Sequence, residues 1–398
     1  MTTLFHGGTI VLPDRLLTNG AVEVRDGRIA AIHESSPSNE GVDLRGRYLT
    51  PGYIDLHVHG GDGADFMDGT EDAFKTVCRA HARHGTTSLL PTTTVARQDQ
   101  ILAVLELCRQ FHDQTTGGAR SLGAHFYGPY FGREAAGCHP TASLRPPTRE
   151  EFQTYLDFSD HIATATVAPE LSGAEEFVHA CQENAIRCNV GHSHCTFEEM
   201  ENAVQWGVRH VDHLFCAMSD RARLRQSQTY PMRGGVMEAT LFFDELTTEV
   251  IADGKHLQRE LLQLAYKIKG PDRLALVTDC NRALDMPDGE YLFGPLEGGE
   301  PILRRDGVGI MPDGKSLASG VVGMDHCVKT FHELTQVSLP EVIRMASLTP
   351  AKIAGREDEI GSIEVGKRAD LLIQSSDLEI EAIFLDGKEL NLSLRKSE

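Results

Sequence analysis

Long apolar runs are missing from this sequence: no stretch approaches the ~18 consecutive apolar residues that a membrane-spanning helix needs, so no span is expected. Basic residues are scarce as well. With 38 Lys and Arg against 58 Asp and Glu the formal charge is −20, and the cations do not cluster. That excludes a nucleic-acid surface, because phosphate backbones are bound through grouped Lys and Arg. It leaves room for a small anion held by one or two local cations. A disulfide framework is lacking too. The 9 cysteines are odd in number and scattered, and the opening MTTLFHGGTI has no basic segment leading into an apolar run. These features read as reduced thiols in a cytoplasmic protein. Low-complexity tracts and short-period repeats are absent, and 40% hydrophobic with 24% charged residues fits an ordinary globular chain of 398 residues.

A chain of this length accommodates a barrel of roughly 250 residues with a smaller accessory unit. The first fifty residues read as short strands and turns, GGTIVL, AVEVRDGRIAAI and GVDLRGRYLTP, and the tail GSIEVGKRADLLI followed by IEAIFLDGKEL has the same alternating character. Neither end alone completes a sheet. The expected partition is therefore a β-sandwich built from residues 1–50 and 355–398, flanking a central unit over 51–354. In that central unit eight apolar runs recur, YIDLHVHG, TTSLLPTTT, SLGAHFYG, ATATVAPE, IRCNVGHS, RHVDHLF, TTEVIADG and RLALVTD. Segments with apolar residues three and four apart follow them, including DAFKTVCRAHARHG, QILAVLELCRQFH, AEEFVHACQENA, FEEMENAVQWG and LQRELLQLAYKIKG. Strand and helix alternating eight times predicts an α/β fold, a (β/α)8 TIM barrel. The segment 288–318, rich in Gly, Asp and Pro, predicts a hairpin excursion after the eighth strand.

In such a barrel the chemistry gathers at the C-terminal ends of the strands. His57 and His59 close the first run, and their i, i+2 spacing puts both imidazoles on one side of a strand. His192 ends the fifth run, His213 the sixth and Asp279 the eighth. A single histidine at a strand end is more often a hydrogen-bonded structural residue; four histidines and an aspartate around one mouth predict a metal site. Imidazole and carboxylate suit Zn²⁺ or a similar borderline divalent metal. A metal of that kind supports hydrolysis by lowering the pKa of water and polarising a carbonyl. Asp279 is the candidate to take the proton of the attacking water and pass it to a leaving amine.

PGYIDLHVHG after an N-terminal β unit, with GSIEVGKRADLLI near the end, resembles the amidohydrolase superfamily over essentially the whole chain. Within it, the ordered series GxHxxGP, GHS, HLxxAM, ADGxH and VTD is similar to the N-acetylglucosamine-6-phosphate deacetylases over about residues 50–350. The resemblance implies metal-dependent removal of acetate from an amino sugar phosphate. It implies metal-binding roles for His192 and His213, a catalytic role for Asp279, and substrate contacts at His139, His256, Cys216 and Ala217. It also implies a homodimer in which a neighbour completes the phosphate site.

Two departures stand out. Where the family has a metal-binding Glu in HxEGP, this sequence reads HFYGP, with Tyr127 in that place. The reading that follows is one metal per chain rather than two, held by His57, His59, Asp279 and one of His192 or His213. Where the family has HLxNAM, this chain has Cys216, and the phosphate-binding arginine is displaced; Arg233 of YPMRGG is the nearest candidate, with Arg223 and Arg225 as alternatives. The fourth run ends in Pro169 and Glu170 without a lysine, which disfavours a two-metal site bridged by a carbamylated lysine; Glu170 is a possible replacement carboxylate. Tyr127 and Cys216 motivate a second reading, hydrolysis of a different amide, imide or aminated ring. Tyr127 alone motivates a third, a degenerate barrel that binds without catalysis.

Overall fold

The computed structural model describes residues 2–226 and 230–392. Eight parallel strands form the centre: Tyr53–Val58, Thr86–Pro91, Ala124–Tyr127, Ile162–Val167, Arg187–Val190, His210–Val211, Thr247–Ile251 and Leu274–Val277. They are numbered here as barrel strands one to eight. One pairs with two, and three to eight pair in sequence order. Two contacts close the ring. Thr92 bridges to His125 between strands two and three, and Val58 bridges to Cys280 between eight and one. The amide N–H groups of His59 and Gly60 both donate to the Cys280 carbonyl at 2.9 Å, so the seam lies directly beneath the HxH pair. The barrel is an α/β TIM barrel, as the sequence predicts.

Local chemistry explains the helices that cover it. Thr70 caps Glu71–Arg83 by accepting from the Ala73 N–H, and Thr196 with Glu199 forms a reciprocal capping box on Phe197–Trp206. Phe74, Val77 and Cys78 are buried from the first of these helices, and Phe177, Val178 and Cys181 from Ala174–Glu183, at the three- and four-residue spacing that predicts them. Three further helices, Met324–Thr335, Leu339–Ala346 and Leu348–Ile353, complete the outer layer and are not among the helices anticipated from sequence.

The two ends of the chain meet. Tyr48–Pro51 pairs antiparallel with Leu371–Gln374 inside a six-stranded sheet, and a four-stranded sheet built on Thr2–His6 lies against it. Phe5 from one sheet meets Phe384 from the other edge-on at 5.0 Å between ring centroids, within a core that includes Ile10, Leu49 and Ile373. The excursion after strand eight is a three-stranded antiparallel sheet, Gly289–Phe293, Glu300–Arg305 and Val308–Ile310, rather than a simple hairpin. Its Phe293 ring stands 5.0 Å from both His59 and His139, so this sheet forms one wall of the barrel mouth.

Candidate active site

Three site side chains reach the barrel axis by the same device. His192, His213 and Asp279 each lie two residues past the end of their strand, and their φ angles are +45°, +25° and +48°. For non-glycine residues this left-handed backbone costs about 1–2 kcal/mol each. Such strain persists where the surroundings over-determine it, typically at functional positions. Gly137, itself at φ +60°, passes so close that a Cβ there would lie 3.1 Å from the His192 ring. A larger residue would push that imidazole out of place.

The tightest convergence is His57, His59 and Asp279, whose candidate ligand atoms all lie within 4.8 Å of one another. Asp279 Oδ1 is 3.6 Å from His57 Nε2 and 3.3 Å from His59 Nε2. All three are buried. Burial alone would raise the Asp279 pKa, but His57, His59 and His213 hold it well below the usual carboxylate range. His59, by contrast, is pushed down by burial. His57 Nε2 has no hydrogen-bond partner, and neither has His213 Nδ1. A buried imidazole nitrogen without a partner, 3.6 Å from an ionised carboxylate, fits a divalent cation.

His57 Nδ1 is 2.7 Å from Glu249 Oε1, which fixes a proton on Nδ1 and turns Nε2 toward Asp279. His192 Nδ1 donates to the Ala135 carbonyl at 2.6 Å and likewise frees its Nε2. His192 and His213 stand beside the trio, their ring centroids 5.1 Å apart. Tyr127 fills the space between the rings. Its hydroxyl is 2.6 Å from His213 Nε2, and its ring centroid is 4.5 Å from that of His57. Burial pushes the phenol pKa well up, so the hydroxyl keeps its proton beside His213 Nε2.

Above this floor opens a cavity of about 360 Å³ lined by His59, Tyr127, His139, His192, His213 and Asp279 among others. Cys216, Ala217 and His256 also line it. His139 Nδ1 accepts the Val95 N–H at 3.3 Å, which places the ring proton on Nε2. His256 donates Nδ1–H to Asp253 at 2.7 Å; burial would lower its pKa, but Asp253 raises it above the ordinary value. Burial pushes the Cys216 thiol up to about 12, far from a nucleophilic thiolate.

The arginine candidates separate. Arg223 lines the cavity and its Nη1 lies 2.6 Å from His194 Nε2. Arg233 is exposed and is not among the lining residues, and Arg225 is exposed at the end of the same short helix. Glu170 is not among them either. Its two oxygens accept from Ser193 Oγ at 2.6 Å and from the His194 N–H at 2.8 Å, so it braces the turn that follows strand five.

Two residues were not anticipated. Ser319 lines the cavity and its hydroxyl lies 3.4 Å from Asp279 Oδ1. Glu249 sits in the middle of strand seven, two residues beyond the Thr247 that pairs with His210 of strand six; the acid interrupting the apolar TTEVIADG run was the legible signal.

Residues 48–390 match the model of the amidohydrolase family. An N-acetylglucosamine-6-phosphate deacetylase of Vibrio furnissii is 32% identical over 95% of this chain and 90% of its own length. An N-acetylgalactosamine-6-phosphate deacetylase of Escherichia coli O157:H7 is 31% identical over 98% of this chain and 99% of its own. In structure, a variant of the Mycobacterium smegmatis N-acetyl-D-glucosamine-6-phosphate deacetylase, in complex with N-acetyl-D-glucosamine-6-phosphate, superposes with a TM-score of 0.89 at 26% identity, covering 98% of this chain and 99% of that one. Fold, strand-end residues and relatives agree, and the chain belongs to the amidohydrolase family.

Proposed function

We propose that this protein hydrolyses the acetamide of an N-acetylhexosamine 6-phosphate, giving the amino sugar phosphate and acetate. The observation that carries the reading is the convergence of Asp279 with His57 and His59 on the floor of a cavity whose rim holds Arg223. The deacetylase names of the relatives support the same substrate class, and both the gluco and galacto epimers occur among them.

In this reading His57, His59 and Asp279, with His192 or His213, hold one divalent metal of the zinc type. Tyr127 supports a single ion, because a phenol kept protonated by burial stands where a second ion would need a carboxylate. When bound, the metal polarises the acetamide carbonyl and makes water a nucleophile near neutral pH. Asp279, kept ionised by its histidine neighbours, accepts a proton from the attacking water. As the C–O bond forms and the C–N bond breaks, Asp279 returns that proton to the amine nitrogen. His139 offers Nε2–H and His256 its outer ring edge to the sugar, while Cys216 and Ala217 shape the wall. Arg223 is the cation best placed for the phosphate. The barrel over 51–354 carries the chemistry, and the unit from 1–50 and 355–398 supports it.

The decisive experiment measures bound metal and then amine release from N-acetylglucosamine 6-phosphate and N-acetylgalactosamine 6-phosphate, for wild type and Asp279→Asn. Turnover of one or both sugars, lost in the variant, is the expected result. A metal-loaded protein inert on both but active on an unphosphorylated amide would move the assignment to a different amide, the reading that Cys216 favours. No helix among the described residues is long and apolar enough to cross a membrane. A cytoplasmic homodimer completes the proposal, checked by light scattering of the purified protein and by fractionation of its host.

A further inference from the structure

A second group of histidine and carboxylates lies deeper in the barrel. His210, Asp212 and Glu249 are buried, with candidate ligand atoms within 4.8 Å of one another. Unlike the upper trio, its carboxylate oxygens are all occupied. Asp212 Oδ1 accepts from Asn189 at 2.9 Å and Oδ2 from Thr166 at 2.6 Å. Glu249 Oε2 is 3.3 Å from His210 Nε2, and Oε1 accepts from His57 Nδ1 at 2.7 Å and from the His213 backbone N–H at 3.3 Å. His210 Nδ1 in turn meets Thr247 Oγ1 at 2.8 Å. Every carboxylate oxygen of this group thus already has a protein partner. Its outward connections run to His57 on strand one and to the turn carrying His213 after strand six.

We propose that Glu249 is the positioning residue of the metal centre, holding His57 in the Nδ1–H tautomer and fixing the turn of His213, while His210 holds Glu249 itself. An ionised carboxylate only accepts, so His57 must donate from Nδ1 and keep its Nε2 lone pair for the metal. A carboxylate behind a ligating imidazole also raises its basicity and locks its ring. Glu249 reaches two elements of the site from one side chain. The structure thereby places the support of the ligand set on a strand that contributes no ligand of its own. This rests on the assignment of the metal to His57, His59 and Asp279.

The test is a zinc competition titration against a chromophoric chelator, with metal content, on the full chain as wild type, Glu249→Gln and Glu249→Asp. The visible spectrum of the cobalt-substituted proteins gives a second readout independent of turnover. Gln keeps the shape but weakens the acceptor, and the expected Kd rises about 10–100-fold with an altered cobalt spectrum. Asp keeps the charge but withdraws it by one methylene, guards against a Gln variant that fails to fold, and is expected to lose affinity as well. Either folded variant binding zinc within about twofold of wild type, with an unchanged cobalt spectrum, would overturn the proposal. A wild type that binds no metal would instead overturn the metal assignment beneath it, so the two failures are distinguishable.

Discussion

Two clusters of histidine and carboxylate share one barrel, and they differ in what they leave unmade. In the upper cluster His57 Nε2 has no hydrogen-bond partner although it is buried, and it faces Asp279. In the lower cluster the oxygens of Asp212 and Glu249 are each bonded to a neighbouring side chain. Residue types alone would nominate both as metal sites. The difference lies in satisfaction: a buried polar atom without a partner costs about 1–3 kcal/mol and is open to a ligand, whereas carboxylates already bonded to neighbours hold those neighbours in place.

That contrast is broken most directly at Asp279. Asp279→Asn keeps the side-chain volume and tolerates the left-handed backbone, yet cannot take a proton. Deacetylation should fall by about 10²–10⁴-fold in kcat, followed by continuous detection of released amine. Treatment with a strong chelator should abolish turnover of the wild type, and added zinc should restore it; activity that survives complete metal removal would place the chemistry elsewhere.

A smaller effect is expected at the cavity rim. Arg223→Ala should raise KM for the phosphorylated sugar by about 10–100-fold with kcat less affected, from the ~1.5–3 kcal/mol of a charge-assisted contact. Arg233→Ala, on an exposed residue outside the cavity, should leave KM within about twofold. The reverse pattern in steady-state kinetics would restore Arg233 as the phosphate ligand.

The lower cluster should answer in stability. Asp212→Asn presents an amide where Thr166 or Asn189 needs an acceptor, and should cost about 1–3 kcal/mol by denaturant unfolding while bound metal stays at its wild-type ratio. Loss of metal without loss of stability would erase the distinction between the clusters.

Smallest of all is a pH effect at His84, outside both. Burial would lower its pKa, but Asp325 at 3.0 Å and Asp285 at 3.1 Å push it up to about 10. The folded value exceeds the unfolded one of about 6.5, so the stabilisation is complete below pH ~6.5 and is lost as pH rises through about 10. The melting-temperature gap between wild type and His84→Gln should therefore narrow across that window.

Much of this was legible in sequence. Seven of the eight barrel strands fall inside the apolar runs and the fourth begins one residue before its run, at Ile162, because parallel strands covered on both faces need such character. The strand-end positions of His57, His59, His192, His213 and Asp279 follow from the fold. Glu249 was hidden for the same reason: within TTEVIADG it reads as a polar interruption, and only the register of strand seven against strand six sets it above His210. The choice between Arg223 and Arg233 depends on how the segment after strand six folds back, which no periodicity encodes. The three C-terminal helices follow a Gly-rich excursion, and two of them are short, at 8 and 6 residues, so their apolar stripes did not stand out.

The left-handed turns at His192, His213 and Asp279 carry a consequence for anyone engineering this enzyme. Each is a position where glycine, or asparagine, relieves the backbone at no steric expense. Selection for heat resistance alone would favour those exchanges, since function rather than folding maintains the strained residues. A thermostability campaign on this chain should thus drift toward hardier, inactive barrels unless turnover is screened in the same round.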